Sequence, residues 1–236
     1  MTTDLDGPAD TRMMGVVHSA MRRDLVRTRL VLTGDQPVED DRRRAIAGHL
    51  RWMMDFLHHH HEGEDTGLYP MVRAKDPALV PVLDKMDAEH RAIHPGMAAV
   101  DEAAAAWEQD PDRRADVLGA LDQLEAPLLP HLEQEERDMM PLVQRTITHR
   151  EWRDWDEATN VRSKSKPQLA TEGHWLLDNL DPASRDLVVH LVPPVPRFLL
   201  VRLMGGPYRA RRRAMWGGTP AEHVRSEVLQ PRAARG

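Results

Sequence analysis

The sequence contains no cysteine, only two phenylalanines and two tyrosines, and no run of eighteen apolar residues free of charge. Without thiols there can be no disulfide, iron–sulfur cluster or thiolate zinc site, so any metal must be held by histidine, aspartate or glutamate. Aromatic residues make up 4% of the chain, against abundant Ala, Leu, Arg, Glu and Met, which disfavours sheets and favours packed helices. The lack of a long apolar run argues against a transmembrane segment, and the acidic start MTTDLDGPAD is unlike a secretory leader. The expectation is a soluble, cytoplasmic, all-α protein. Its 236 residues suffice for one main core and an extension.

Charge is unevenly spread. Residues 206–236 hold seven arginines and two glutamates, so the formal charge of −6 conceals −11 on the preceding segment. An acidic main domain is not a nucleic-acid binder. The basic end, with Arg209, Arg211, Arg212 and Arg213 between Tyr208 and Trp216, offers a contact for an anionic surface or RNA. Its composition reads rather as a solvated, flexible tail with no part in a core.

Periodicity divides the rest. Met14, Val17, His18, Met21, Leu25 and Leu32 recur at helical spacing before Gly34 to Pro37 punctuates. A second run extends from Val38 through a histidine tract and is expected to end near Gly67 to Pro70. A third runs from Asp76-Pro77 to Trp107, and a fourth from Asp112 to about His149, with a break or kink expected at Pro127 and Pro130. Short connections between four helices imply an antiparallel up-down bundle over residues 10–150. Residues 151–205 read as short helices packed on the bundle, on a second copy or on a protein partner. Trp152, Trp155 and Trp175 would cover apolar surface there, and Phe198, Leu199, Leu200 and Val201 would form an anchor.

An internal repeat points to chemistry. His60, Glu64 and Pro70 recur as His131, Glu135 and Pro141 at identical spacing, while His18 precedes His60 by 42 residues and His90 precedes His131 by 41. The chain therefore reads as two helical hairpins, each giving one histidine and then an HxxxE. Residues i and i+4 share a helix face, so each HxxxE presents an imidazole and a carboxylate to one interior point. The tract from His58 to Asp65 offers competing pairs, His58 with Glu62 and His61 with Asp65. Helical phase puts His60 with Met53, Phe56, Leu57 and Glu64 on the apolar face, and His58 with Arg51, Asp55 and Glu62 on the polar one. His61 is less cleanly excluded, since Leu50, Met54 and Leu57 flank its direction. His94, one turn after His90, would supply a further imidazole, although Pro95 biases it toward a kink.

Any one of these histidines is adequately explained as a buried imidazole donating to a carbonyl. Several imidazoles and two carboxylates on inward faces are not, because burying them together is costly unless a metal satisfies them at once. The order His18, His60xxxGlu64, His90xxxHis94, His131xxxGlu135 resembles the hemerythrin and HHE cation-binding family over residues 10–148. The resemblance implies two iron ions, oxo- or hydroxo-bridged, with Glu64 and Glu135 bridging, the five histidines terminal, and one iron open to a small diatomic ligand. Ferritin-like di-iron bundles instead use Glu-x-x-His and more carboxylates. Five neutral imidazoles with two carboxylates make the ferric state less favoured, which suits reversible binding or sensing of O2, NO or peroxide. Turnover of peroxide or NO, or an iron-stabilised interaction module, are the alternatives, and the same donors would accept zinc or manganese.

Overall fold

The computed structural model describes residues 4–191 and 204–229. The apolar run Phe198 to Val201 lies outside the described residues. Four long helical rods carry the fold. The first is α1 (Arg12–Leu32), and the second is α2 (Asp40–Gly63) continued by α3 (Tyr69–Lys75). The third is α4 (Val80–Gln109), and the fourth is α5 (Arg114–Gln134) continued by α6 (Met140–Thr146). No residue among those described belongs to a strand, and no described helix is long and apolar enough to cross a membrane.

Local chemistry sets the starts. Asp40 and Asp41 sit in the first turn of α2, complementing its dipole. Before α4 and α5, the side chains of Asp76 and Asp110 accept from the backbone N–H groups of Ala78 and Asp112, each followed by a proline suited to a first turn. The second rod does not stop at Gly67 to Pro70 as its composition suggests. It widens into a π-turn over Glu64–Leu68, with the Tyr69 N–H donating to the Glu64 carbonyl, and then resumes. The fourth rod repeats this over Glu135–Met139, where the Met140 N–H donates to the Glu135 carbonyl. In both, a proline follows two residues after the turn. Its ring would collide with the carbonyl four residues earlier and it has no N–H to donate, so a locally wider turn accommodates it without ending the helix. Pro95, Pro127 and Pro130 also leave their helices unbroken. Pro95 and Pro130 face solvent, where water can take the freed carbonyl.

α4 packs along both α2 and α5, α5 packs along α1, and a His18–His60 contact joins α1 to α2. The interior holds two apolar cores. One gathers Met21, Leu25, Leu50, Leu57, Val100, Trp107 and Leu121, the other Met14, Leu68, Tyr69, Leu83, Met86, Met139 and Val143. Along every rod the histidine–glutamate positions fall between the two.

The extension continues with α7 (His149–Asp156), a π-turn, α8 (Lys166–Leu177), α9 (Pro182–Leu191) and α10 (Gly206–Trp216). Capping boxes from Thr148 with Glu151 and from Ser165 with Gln168 start α7 and α8. Residues 206–229 of the segment read from composition as a flexible tail instead fold onto α2 and α1. Tyr208, Met215 and Trp216 join the first core, as does Trp175. The reason lies in charges buried on the back of α1. Asp24 there accepts from Arg23, Arg27, Trp175 Nε1 and His49, while Asp178 after α8 accepts from Arg27, Tyr208 and Arg212. Arg212 of the basic end is thus neutralised in place by Asp178 and Glu222, and Arg211 lies over the Trp52 ring.

Deleting residues from 206 onward therefore exposes core surface and strips partners from Asp178. At roughly 1.5–3 kcal/mol for each of three large side chains, the thermal midpoint should fall by about 10 °C or more. Calorimetry of the truncated chain checks this, and an unchanged midpoint would mean that the docked end contributes no stability.

Candidate metal centre

Six of the seven residues picked out by spacing converge between the two cores: His18, His60, Glu64, His90, His131 and Glu135, all 8% exposed or less. His94 does not join them. It is exposed, its ring 6.0 Å from that of His58 on the neighbouring helix. Four residues turn the helix by 400°, and the buried stripe of α4 follows His90, Ile93 and Met97, which leaves His94 beyond its edge. His61 takes the fifth place. It is 1% exposed and stacks on His90 with ring centroids 4.1 Å apart. His60 and His61 straddle the inward direction of α2, one turned to α1 and the other to α4.

Two donor groups result. His61, His90 and His131 bring one nitrogen each within 4.8 Å of one another, and a nitrogen each of His18 and His60 meets a carboxylate oxygen of Glu135 within the same distance. The carboxylates link the groups. Glu64 Oε1 lies 3.4 Å from His60 Nε2 and its Oε2 3.6 Å from His90 Nε2. Glu135 Oε2 lies 3.4 Å from His18 Nε2 and 3.8 Å from His131 Nε2. Ligand atoms bound to one ion at 2.0–2.2 Å are themselves roughly 3–3.6 Å apart, so these spacings suit neighbours about shared ions. Both nitrogens of His61, both oxygens of Glu64, Nε2 of His90 and of His131 and Oε2 of Glu135 are buried with no hydrogen-bond partner. That set of lone pairs is what a cation would satisfy.

The far nitrogens are held by a second ring of acids. His18 Nδ1 meets Glu136 Oε1 at 2.9 Å, His90 Nδ1 meets Asp65 Oδ1 at 2.7 Å, and His131 Nδ1 meets Glu89 Oε2 at 3.0 Å. Each contact assigns a proton to Nδ1 and frees Nε2 to point inward. Tyr69 donates to Glu135 Oε1 at 2.9 Å. Sequence reasoning missed these four, though a signal was present: each repeat carries a second acid directly after its glutamate, Asp65 and Glu136.

From outside the bundle, Trp155 Nε1 donates to the Gly63 carbonyl at 2.9 Å, at the head of the π-turn bearing Glu64. A Cβ on Gly63 would stand 2.3 Å from Thr159 Cγ2, and one on Gly67 2.7 Å from Trp155, so only glycine admits this approach.

Burial, with His18 adding to it, pushes His60 down to about 3; burial and His90 hold His61 well below the usual histidine range. Neutral imidazoles with free lone pairs follow. Burial and Glu135 drive Glu64 well above the carboxylate range. Burial would raise Glu135 too, but His18, His131 and His60 bring it to about 2. Without a cation the pair thus carries one negative charge between them.

Histidines and carboxylates borne on π-widened helices in a helical bundle define a protein built to hold cations in its interior. Residues 10–143 match the model of the hemerythrin HHE cation-binding domain, and the chain belongs to that family. No curated protein and no solved structure matches it.

Two outcomes are expected. Glu64→Ala, His60→Ala and His61→Ala should each lose most of the bound metal, whereas Glu62→Ala, His58→Ala and His94→Ala should keep it, as read by elemental analysis. Retention in the first three with loss in the others would invert the register. The second outcome concerns the metal-free chain. His60 takes up a proton near 6.5 unfolded but only near 3 folded, so between those values the unfolded state binds more protons. Its contribution to stability is then full above 6.5 and lost as pH falls toward 3. Denaturant midpoints for the wild type and His60→Phe across that window should diverge in this sense, and parallel curves would refute it.

Proposed function

We propose that the protein is a non-heme di-iron protein that binds or senses O2, NO or peroxide. The observation that carries the reading is Glu64, whose two oxygens each approach a histidine of a different donor group. On this reading His61, His90 and His131 hold one iron, His18 and His60 the other, and Glu64 and Glu135 bridge. The apolar cores are met in the order second to first along α1 and α4, and first to second along the other two rods, which supports an antiparallel up-down bundle. An iron pair there would supply reversible ligand binding and one-electron chemistry. The chain's own part is to fix the donors and exclude water. Glu136, Asp65 and Glu89 orient three imidazoles, Tyr69 keeps its proton because burial and Glu135 raise it well above the usual tyrosine range, and the two cores close the site above and below.

Protein produced with iron should contain close to two iron ions per chain, and chelation should loosen the helices by circular dichroism. Zinc alone, with no iron uptake, would exclude the reading. Reduced anaerobically and exposed to O2, NO or peroxide, the protein should show visible bands that reverse when the ligand is withdrawn. Sustained consumption would identify an enzyme instead, and an unresponsive spectrum a structural iron module.

A further inference from the structure

Between α1, α6 and the extension lies a groove of about 530 Å³, within the range of small-molecule sites. Val16, Met140, Leu187 and Val228 give it apolar walls, and Arg12, Glu133, Arg137 and Glu136 line it as well. The Glu136 side chain is 8% exposed. Its Oε1 is engaged twice, by His18 Nδ1 at 2.9 Å and by Arg22 at 2.7 Å. Its Oε2 is buried with no hydrogen-bond partner. Gly15 keeps the approach open, since a Cβ there would lie 3.2 Å from Val228 Cγ1 and 3.6 Å from Glu136 Oε2. The groove therefore presents one unused acceptor among apolar walls.

We propose that this groove binds a small neutral amphipathic molecule of the phenol or quinol class, its hydroxyl donating to Glu136 Oε2. Neutrality follows from the ion pairs already made: Arg22 with Glu136, Arg12 with Asp10, and Arg137 with both Glu133 and Asp138. No unpaired charge among these recruits an ion, and the walls disfavour a strongly hydrated ligand. A phenolic hydroxyl, more acidic than an alkanol's, makes the stronger bond to a carboxylate. The other oxygen of that carboxylate holds His18, so an occupant is felt at the His18 side of the metal centre. This coupling, unlike the binding, rests on the di-iron reading.

Full-length iron-loaded protein titrated calorimetrically with phenol and with toluene, which lacks the hydroxyl, tests the site. Phenol should bind about tenfold more tightly than toluene. Leu187→Ala, which only shortens a wall, should weaken phenol by about threefold to tenfold, and Gly15→Leu should abolish its binding. Equal affinities, no heat from phenol, or wild-type binding in Leu187→Ala would each overturn the site, even if Gly15→Leu fails to fold. The visible bands should shift with phenol in the wild type and recover in Leu187→Ala at the same phenol concentration. Binding without a shift, or a shift that does not follow occupancy of the groove, overturns the coupling alone. Absence of iron bands before phenol is added would mark failure of the di-iron reading rather than of the groove.

Discussion

The fold depends on satisfying a buried set of lone pairs. Five imidazoles and two carboxylates lie between two apolar cores, and the inward atoms of several have no protein partner. Leaving such groups unpaired costs about 1–3 kcal/mol each, a sum comparable with the 5–15 kcal/mol that ordinarily separates folded from unfolded. The cavity cannot be relieved by collapse, because the second ring of acids holds three of the rings with their Nε2 atoms inward. The cost is therefore built in, and bound cations are what offset it. Metal binding in such a chain is also folding free energy.

The π-turns belong to the same constraint. An ordinary α-helical His-x-x-x-Glu already puts two side chains on one face. Widening the helix at the glutamate alters the path beyond it, so that Asp65 and Glu136, one residue later, reach His90 and His18 on other helices. The wider turns that accommodate Pro70 and Pro141 begin at the two glutamates, so His, Glu and Pro repeat together at one spacing.

The repeat made most of the site legible. His18, His60, Glu64, His90, His131 and Glu135 follow from spacing and phase, since helical periodicity maps linear distance onto a face. His94 lies off the site because the buried stripe of α4 turns by i+3 and i+7, not i+4. His61 is hard to read from phase because α2 lies between two neighbours and presents adjacent residues to each. The docked basic end was illegible for a different reason. Seven arginines in a short segment read as solvated until their partners are known, and Asp24 and Asp178 lie far away in sequence. Pairwise charge complementarity across the chain has no periodic signature. Prolines misled in the same way, since a ring that breaks an isolated helix is tolerated where a π-turn or solvent takes up the freed carbonyl.

The two halves of the repeat are not equivalent. Where Glu89 stands before His90 and reaches His131, Val17 stands before His18, so His60 gains no acid from that position. Where His61 follows His60, Leu132 follows His131 and enters the first apolar core. Where Tyr69 donates to Glu135, Met140 occupies the matching place and has nothing to donate. One donor group thus has three histidines and two acid-held rings, while the other has two histidines and one acid-held ring. The imidazoles are therefore divided unequally between the two groups, with Glu135 as the third member of the one that has fewer. That group includes His18 of α1, whose following turns carry Arg22 against Glu136 and then Arg23 and Arg27, which reach Asp178 after α8. His18 is thus held, through Glu136, on the helix whose other face carries the buried charges that seat the extension, so the metal centre and the docked end share one element.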